Sequence, residues 1–126
     1  MLSVFLVEDS PVVQTCIEGM LEDIGCRLAG VANGEPEALA GIAATIPDVV
    51  VLDLYIDNGS GFSVLKQVKA RYPHICVLVL TNLNGQAMVE RCREYGADDF
   101  FDKTSDFDRL EQALLSRASS RTPNAS

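Results

Sequence analysis

At 126 residues, with 48% hydrophobic and 22% charged content, the chain has the size and composition of one globular domain; a second domain has no room and a disordered polymer is excluded. Ten Lys and Arg against eighteen Asp and Glu leave a net charge of −8, which opposes direct nucleic-acid binding and attachment to an anionic membrane. No stretch reaches the roughly 18 apolar residues of a membrane span and MLSVFLVEDS has no signal character, so a cytoplasmic location is the default expectation.

The first apolar run, residues 2–7, ends on Glu8 and Asp9. Val13, Cys16, Ile17, Met20, Leu21 and Ile24 then line one face of a helix, with Ser10 as its N-cap, Pro11 in its first position and Gly25 as its left-handed stop. Runs at 26–31, 49–54, 75–80 and 99–101 read as further strands, and segments 36–44, 62–71, 85–95 and 106–117 as helices, the last capped by Ser105 in an S-x-x-D pattern with Asp108. Unbroken runs such as VVVL and VLVL suit strands covered on both faces, and five alternations of strand and helix predict an α/β fold, a doubly wound parallel sheet with right-handed crossovers. The domain is expected over residues 1–118, and 119–126 as a flexible tail or the start of a linker. Cys16, Cys26, Cys76 and Cys92 form no CxxC pair and lie far from His74, so they read as buried apolar thiols, not a zinc or redox site.

Ligands of such sheets bind beyond the carboxyl ends of the strands. Reactive side chains collect there: Glu8 and Asp9 after strand 1, Asp53 closing strand 3, Thr81 after strand 4 and Lys103 after strand 5. Asp53 interrupts VVVLDLYI where a purely structural strand would carry another apolar residue. If strands 1 and 3 are neighbours, three carboxylates converge, and their repulsion calls for a hard divalent cation, Mg2+ where phosphate also arrives. A carboxylate nucleophile, metal acids, a Lys to balance a phosphoryl oxygen and a Thr hydroxyl to hydrogen-bond another form a complete set for an aspartyl-phosphate.

Over about residues 3–116 the chain resembles the receiver domain of two-component response regulators. VEDS, VVLDL with Gly61 eight residues beyond Asp53, VLT, and GADDFFDK running into Lys103 carry the likeness. The resemblance implies a flavodoxin-like (βα)5 sheet of order 2-1-3-4-5 and Asp53 as phosphoacceptor from a histidine kinase or phosphotransfer protein. It also implies Mg2+ held by Glu8, Asp9, Asp53 and the backbone carbonyl of Tyr55, and a switch pair, Thr81 and Phe100. The implied role is a phosphorylation-dependent signalling domain that assists its own phosphorylation and dephosphorylation without being an enzyme on other molecules. It would act on a downstream effector and could pair with itself through helix 4, strand 5 and helix 5.

Three positions depart from the commonest pattern: Asp57 and Thr104 stand where proline is usual, and Asn82 where a small residue is usual. They bear on loop geometry, on the movement of Thr81 and on the lifetime of the phosphorylated state. Without proline, the Lys103–Thr104 peptide is expected to be trans. Other classes fit less well. A flavodoxin-like electron carrier needs a hydroxyl- and glycine-rich phosphate loop where EDSPVV stands, and a haloacid-dehalogenase-like phosphatase needs a D-x-D pair that Glu8-Asp9-Ser10 lacks. A degenerate receiver that binds partners without phosphorylation is the alternative within the family.

Overall fold

The structure, a computed structural model, describes residues 1–82 and 85–121, with backbone only for residues 120 and 121. Strands β1 (Ser3–Val7), β2 (Arg27–Ala32), β3 (Val49–Leu52), β4 (Cys76–Thr81) and β5 (Asp99–Asp102) alternate with helices α1 (Pro11–Asp23), α2 (Glu35–Thr45), α3 (Gly61–Arg71), α4 (Gln86–Glu94) and α5 (Phe107–Arg121). All the pairings are parallel and the sheet order is β2-β1-β3-β4-β5, as the resemblance implied.

Strand residues divide between two cores with a period of two. Val4, Leu6, Val49, Val51, Leu78, Leu80 and Phe101 pack with Ile17 and Leu21 of α1 and Leu110 and Leu114 of α5. Phe5, Val7, Val50, Leu52, Val77 and Val79 pack with Ala38 and Ile42 of α2, Val64, Leu65 and Val68 of α3, and Cys92 of α4. Burial on both faces is why these strands read as continuous apolar runs. Phe101 is buried in the first core while its neighbour Phe100 packs partly against the second.

Helix α1 begins and ends as its residues direct: the Val13 N–H donates to Ser10 Oγ, Pro11 opens the helix, and Gly25 has φ +76°. Cys16 faces solvent, unlike the other three thiols, because it sits at the edge of the apolar stripe that Ile17 and Leu21 centre. Helix α5 begins one residue later than its S-x-x-D pattern suggests. Asp106 stands before Phe107 and accepts from the Asp102 N–H at 2.8 Å, drawing the chain into a turn that leaves Ser105 exposed. The helix also continues to Arg121, since no Gly or Pro interrupts 107–121; residues 122–126 of the expected tail lie outside the described residues.

Candidate functional site

Chain order places β1 in the middle of its neighbours, β2 on one side and β3 on the other, so the connections leave in opposite directions and open a crevice beyond the strand ends. The ladder carries the acids into it. The Glu8 N–H donates to Ala32 O and the Asp53 N–H to Val7 O, both at 2.9 Å, which extends β1 and β3 by a residue and sets their carboxylates side by side. Glu8, Asp9 and Asp53 offer oxygens all within 4.8 Å of one another. Opposite ligands of Mg2+ stand about 4.2 Å apart, so these oxygens need little movement to share one such ion.

Each carboxylate oxygen of the two buried acids is engaged. Asp53 Oδ1 accepts from the Thr81 hydroxyl at 3.0 Å and the Tyr55 N–H at 3.1 Å, while Oδ2 accepts from Lys103 Nζ at 2.7 Å. Glu8 Oε1 pairs with Lys103 Nζ at 2.8 Å and Oε2 accepts from the Ser10 N–H at 2.9 Å. Burial pushes the Glu8 carboxyl above its ordinary value and repulsion from Asp53 adds to this, against the pull of Lys103 and the Ser10 N–H. For Lys103 burial acts to lower the value, but the hydrogen bonds it donates to Asp53 and Glu8 and the charges of those carboxylates together outweigh it, and its pKa is raised. Asp9, half-buried, makes no ion pair among the described residues. Three carboxylates against one ammonium leave two negative charges, the amount one divalent cation balances.

Thr81 is the last residue of β4, not the first after it, and is fully buried. Its carbonyl accepts the Lys103 N–H at 3.0 Å, so the strand that carries the hydroxyl also positions the ammonium. Phe100 lies on β5 opposite Val79, a strand away from the acids. Tyr55 is exposed and borders a cleft of about 370 Å³ with Asp9, Ile56 and Phe62. Gly61 is indispensable to the packing: a Cβ there would stand 2.2 Å from Asp53 O and 2.5 Å from Leu54 Cα, so only glycine lets α3 start against the backbone of Asp53 and Leu54.

At both positions where proline is usual, this chain uses the N–H that proline lacks. The Asp57 N–H donates to Asn33 O at 3.0 Å, and the Thr104 N–H to Asp102 Oδ1 at 2.7 Å. The Lys103–Thr104 peptide is trans, as expected without proline. Asn82 is exposed. Side chains not singled out from sequence complete the surroundings. Gln14 Nε2 donates to Glu8 O at 2.6 Å and Asn33 Oδ1 at 3.0 Å, and Glu35 grips the loop between β3 and α3. Neither carries a motif; Gln14 reads as the polar face of α1 and Glu35 as an ordinary acid in a first helical turn.

Comparisons with known proteins agree with this fold. A family model described as the response regulator receiver domain matches residues 4–115. A probable C4-dicarboxylate response regulator of Halalkalibacterium halodurans is 27% identical over 115 residues, 90% of this chain and 50% of its own. The chemotaxis protein CheY of Listeria monocytogenes is 29% identical over 114 residues, 90% of this chain and 96% of its own. The solved signal receiver domain of a DNA-binding response regulator from Colwellia psychrerythraea superposes with a TM-score of 0.87 at 24% identity, covering 94% of this chain and 99% of that one. The chain spans about half the length of the first of these relatives and nearly all of CheY. With the family model spanning most of its length and the sheet order in agreement, the chain belongs to the response regulator receiver domain family.

Proposed function

We propose that this receiver domain accepts a phosphoryl group on Asp53 from the phosphohistidine of a histidine kinase or phosphotransfer protein and thereby changes a protein-binding surface. The observation that carries the reading is Asp53 itself: a buried carboxylate at a strand end, held by Lys103, Thr81 and the Tyr55 N–H, with Glu8 and Asp9 alongside. An Asp53 oxygen attacks the phosphorus, a P–O bond forms as the donor's P–N bond breaks, and the departing imidazole recovers its neutral form with a solvent proton. Lys103 balances charge on a phosphoryl oxygen and the Thr81 hydroxyl donates to another. Glu8, Asp9, Asp53 and the Tyr55 carbonyl are the residues that would hold Mg2+, which supplies further charge neutralisation to the transferring group.

Thr81 and Phe100 are the proposed switch pair, and helix α4, strand β5 and helix α5 the responding surface, where an effector or a second copy of the chain docks. A phosphorylation-independent binding module would be favoured by a broken acid set, and Glu8, Asp9, Asp53, Thr81 and Lys103 are all in place. The test is incubation with acetyl phosphate and Mg2+ followed by intact mass. Gain of one phosphoryl group by the wild type and none by Asp53→Asn is expected; labelling of Asp53→Asn at the normal rate would remove the assignment.

A further inference from the structure

The eight residues from Asp53 to Ser60 that join β3 to α3 contain no helix or strand, and two in succession, Asn58 (φ 46°) and Gly59 (φ 127°), are left-handed. Within it the Tyr55 N–H donates to Asp53 Oδ1 at 3.1 Å and the Leu54 carbonyl accepts from the Gly61 N–H at 3.0 Å. Its other fixed points lie on the turn between β2 and α2 and on the first residue of α2. The Asp57 N–H donates to Asn33 O, the Glu35 N–H to Asn58 O at 3.3 Å, and the Ser60 N–H to Glu35 Oε1 at 2.9 Å. Glu35 Oε2 accepts from the Ser63 hydroxyl at 2.6 Å and Gln67 Nε2 at 3.3 Å, which anchors the same carboxylate to α3. These donors hold the Glu35 carboxyl below its ordinary value, Ser63 contributing most. Gly59 makes room for it, since a Cβ there would stand 2.3 Å from Glu35 Oε1. On the other side, Gln14 ties Asn33 to the Glu8 carbonyl. One face of the metal site is thus joined to the other through residues 33–35.

We infer that Glu35 is a positioning residue for the phosphorylation site: by latching the β3–α3 loop to α2 it fixes Tyr55 relative to Glu8, Asp9 and Asp53 and so sets the affinity for Mg2+. The inference rests on the reading of those residues as the Mg2+ ligands. Groups that orient ligands from outside typically change metal affinity by about 10- to 100-fold when removed. The measurement is a Mg2+ titration of the whole chain, followed by the backbone amide shifts of Asp53 and Tyr55, with urea unfolding in metal-free buffer alongside. Glu35→Ala is expected to raise the Mg2+ Kd about 10-fold. Glu35→Gln keeps an oxygen for the Ser60 N–H and is expected to restore most of the affinity although it removes the same charge.

A Kd for folded Glu35→Ala within about twofold of wild type reduces the latch to a structural contact and overturns the inference. Equal weakening in Glu35→Gln and Glu35→Ala assigns the effect to charge and overturns it too. Should Glu35→Ala not fold, the Ser63→Ala, Gln67→Ala double variant decides, with a severalfold rise in Kd expected and an unchanged Kd contrary. The Asp9→Asn variant separates the two levels: wild-type binding that ignores Asp9→Asn defeats the Mg2+ reading itself, and the inference with it.

Discussion

Lys103 stands between Glu8 and Asp53 and is the cation that lets two buried carboxylates remain side by side. Glu8 titrates differently from an exposed acid. On the proposed reading Glu8 holds Mg2+ as a carboxylate, and its value is raised above 4.5, chiefly by burial, so Mg2+ affinity should start to fall on acidification at a higher pH than an ordinary glutamate would give. In metal-free protein the sign is the opposite. A carboxyl whose folded pKa exceeds its unfolded one favours the folded state when protonated, so this group's contribution to stability declines as pH rises through the shifted value. Titrations of Mg2+ between pH 5 and 8 in wild type and Glu8→Gln check the first statement: the variant should bind more weakly and with a flatter pH dependence. The prolines the family commonly carries are a second matter at this scale. Because the N–H groups of Asp57 and Thr104 are both used, Asp57→Pro and Thr104→Pro should each destabilise this chain by about 1–3 kcal/mol. Urea midpoints at or above wild type would show that proline is tolerated at both positions.

Helix α3 and strand β3 meet at Gly61, where two effects of substitution oppose each other. Alanine in a first helical turn gains up to about 1 kcal/mol in propensity over glycine. A methyl at 2.2 Å from Asp53 O and 2.5 Å from Leu54 Cα meets backbone, which cannot swing away, and overpacking of this kind costs about 1–3 kcal/mol or more. The steric term wins, so Gly61→Ala should lower the urea midpoint and slow phosphorylation by moving Asp53. Strand β1 and helix α2 meet in a similar way at Phe5, whose ring would touch a Cβ on Gly41 at 2.5 Å and on Gly30 at 2.7 Å. There the obstacle is a side chain, so Gly41→Ala should be destabilising alone and partly compensated by Phe5→Leu, a coupling that a double-mutant cycle reads directly. These contacts explain what was legible beforehand. Element order and the strand-end acids could be read because burial on both faces writes an unbroken apolar run, against which Asp53 stands out. The start of α5 at Phe107 could not, because Asp106 competes with Ser105 for the cap through a bond to Asp102 that closes only in the fold. The grips of Gln14 and Glu35 depend on three loops meeting in space, and no local pattern encodes that.

Across the whole molecule charge is divided by chain order. Residues 1–65 hold ten acids and a single cation, Arg27, whereas residues 66–126 hold eight acids and nine cations. The site sits on this division: Glu8, Asp9 and Asp53 come from the first half, Thr81 and Lys103 from the second. A phosphoryl group on Asp53 adds negative charge to the acidic side, and the groups available to meet it belong to β4 and the turn after β5. The side-chain donors thus favour the proposed response toward β4, β5 and the helices that follow them. The link is short, since the Thr81 hydroxyl already lies 3.0 Å from Asp53 Oδ1, its carbonyl accepts the Lys103 N–H, and Phe100 stands opposite Val79 two residues before it. Because the Thr81 hydroxyl donates to Asp53 Oδ1, the proposed response is a tightening of Thr81 and Lys103 onto the new oxygens. Addition of beryllofluoride and Mg2+, which mimic the phosphoryl group, should shift the backbone amides of Thr81, of Phe100 to Lys103 and of residues 85–95. In Thr81→Ala, which retains Asp53 and Lys103, the shifts at Asp53 and its neighbours should persist while those of residues 85–95 and Phe100 shrink. Equal shifts at 85–95 with and without the hydroxyl would route the response through Lys103 alone, because a ligand biases an equilibrium only through the contacts that differ between its states.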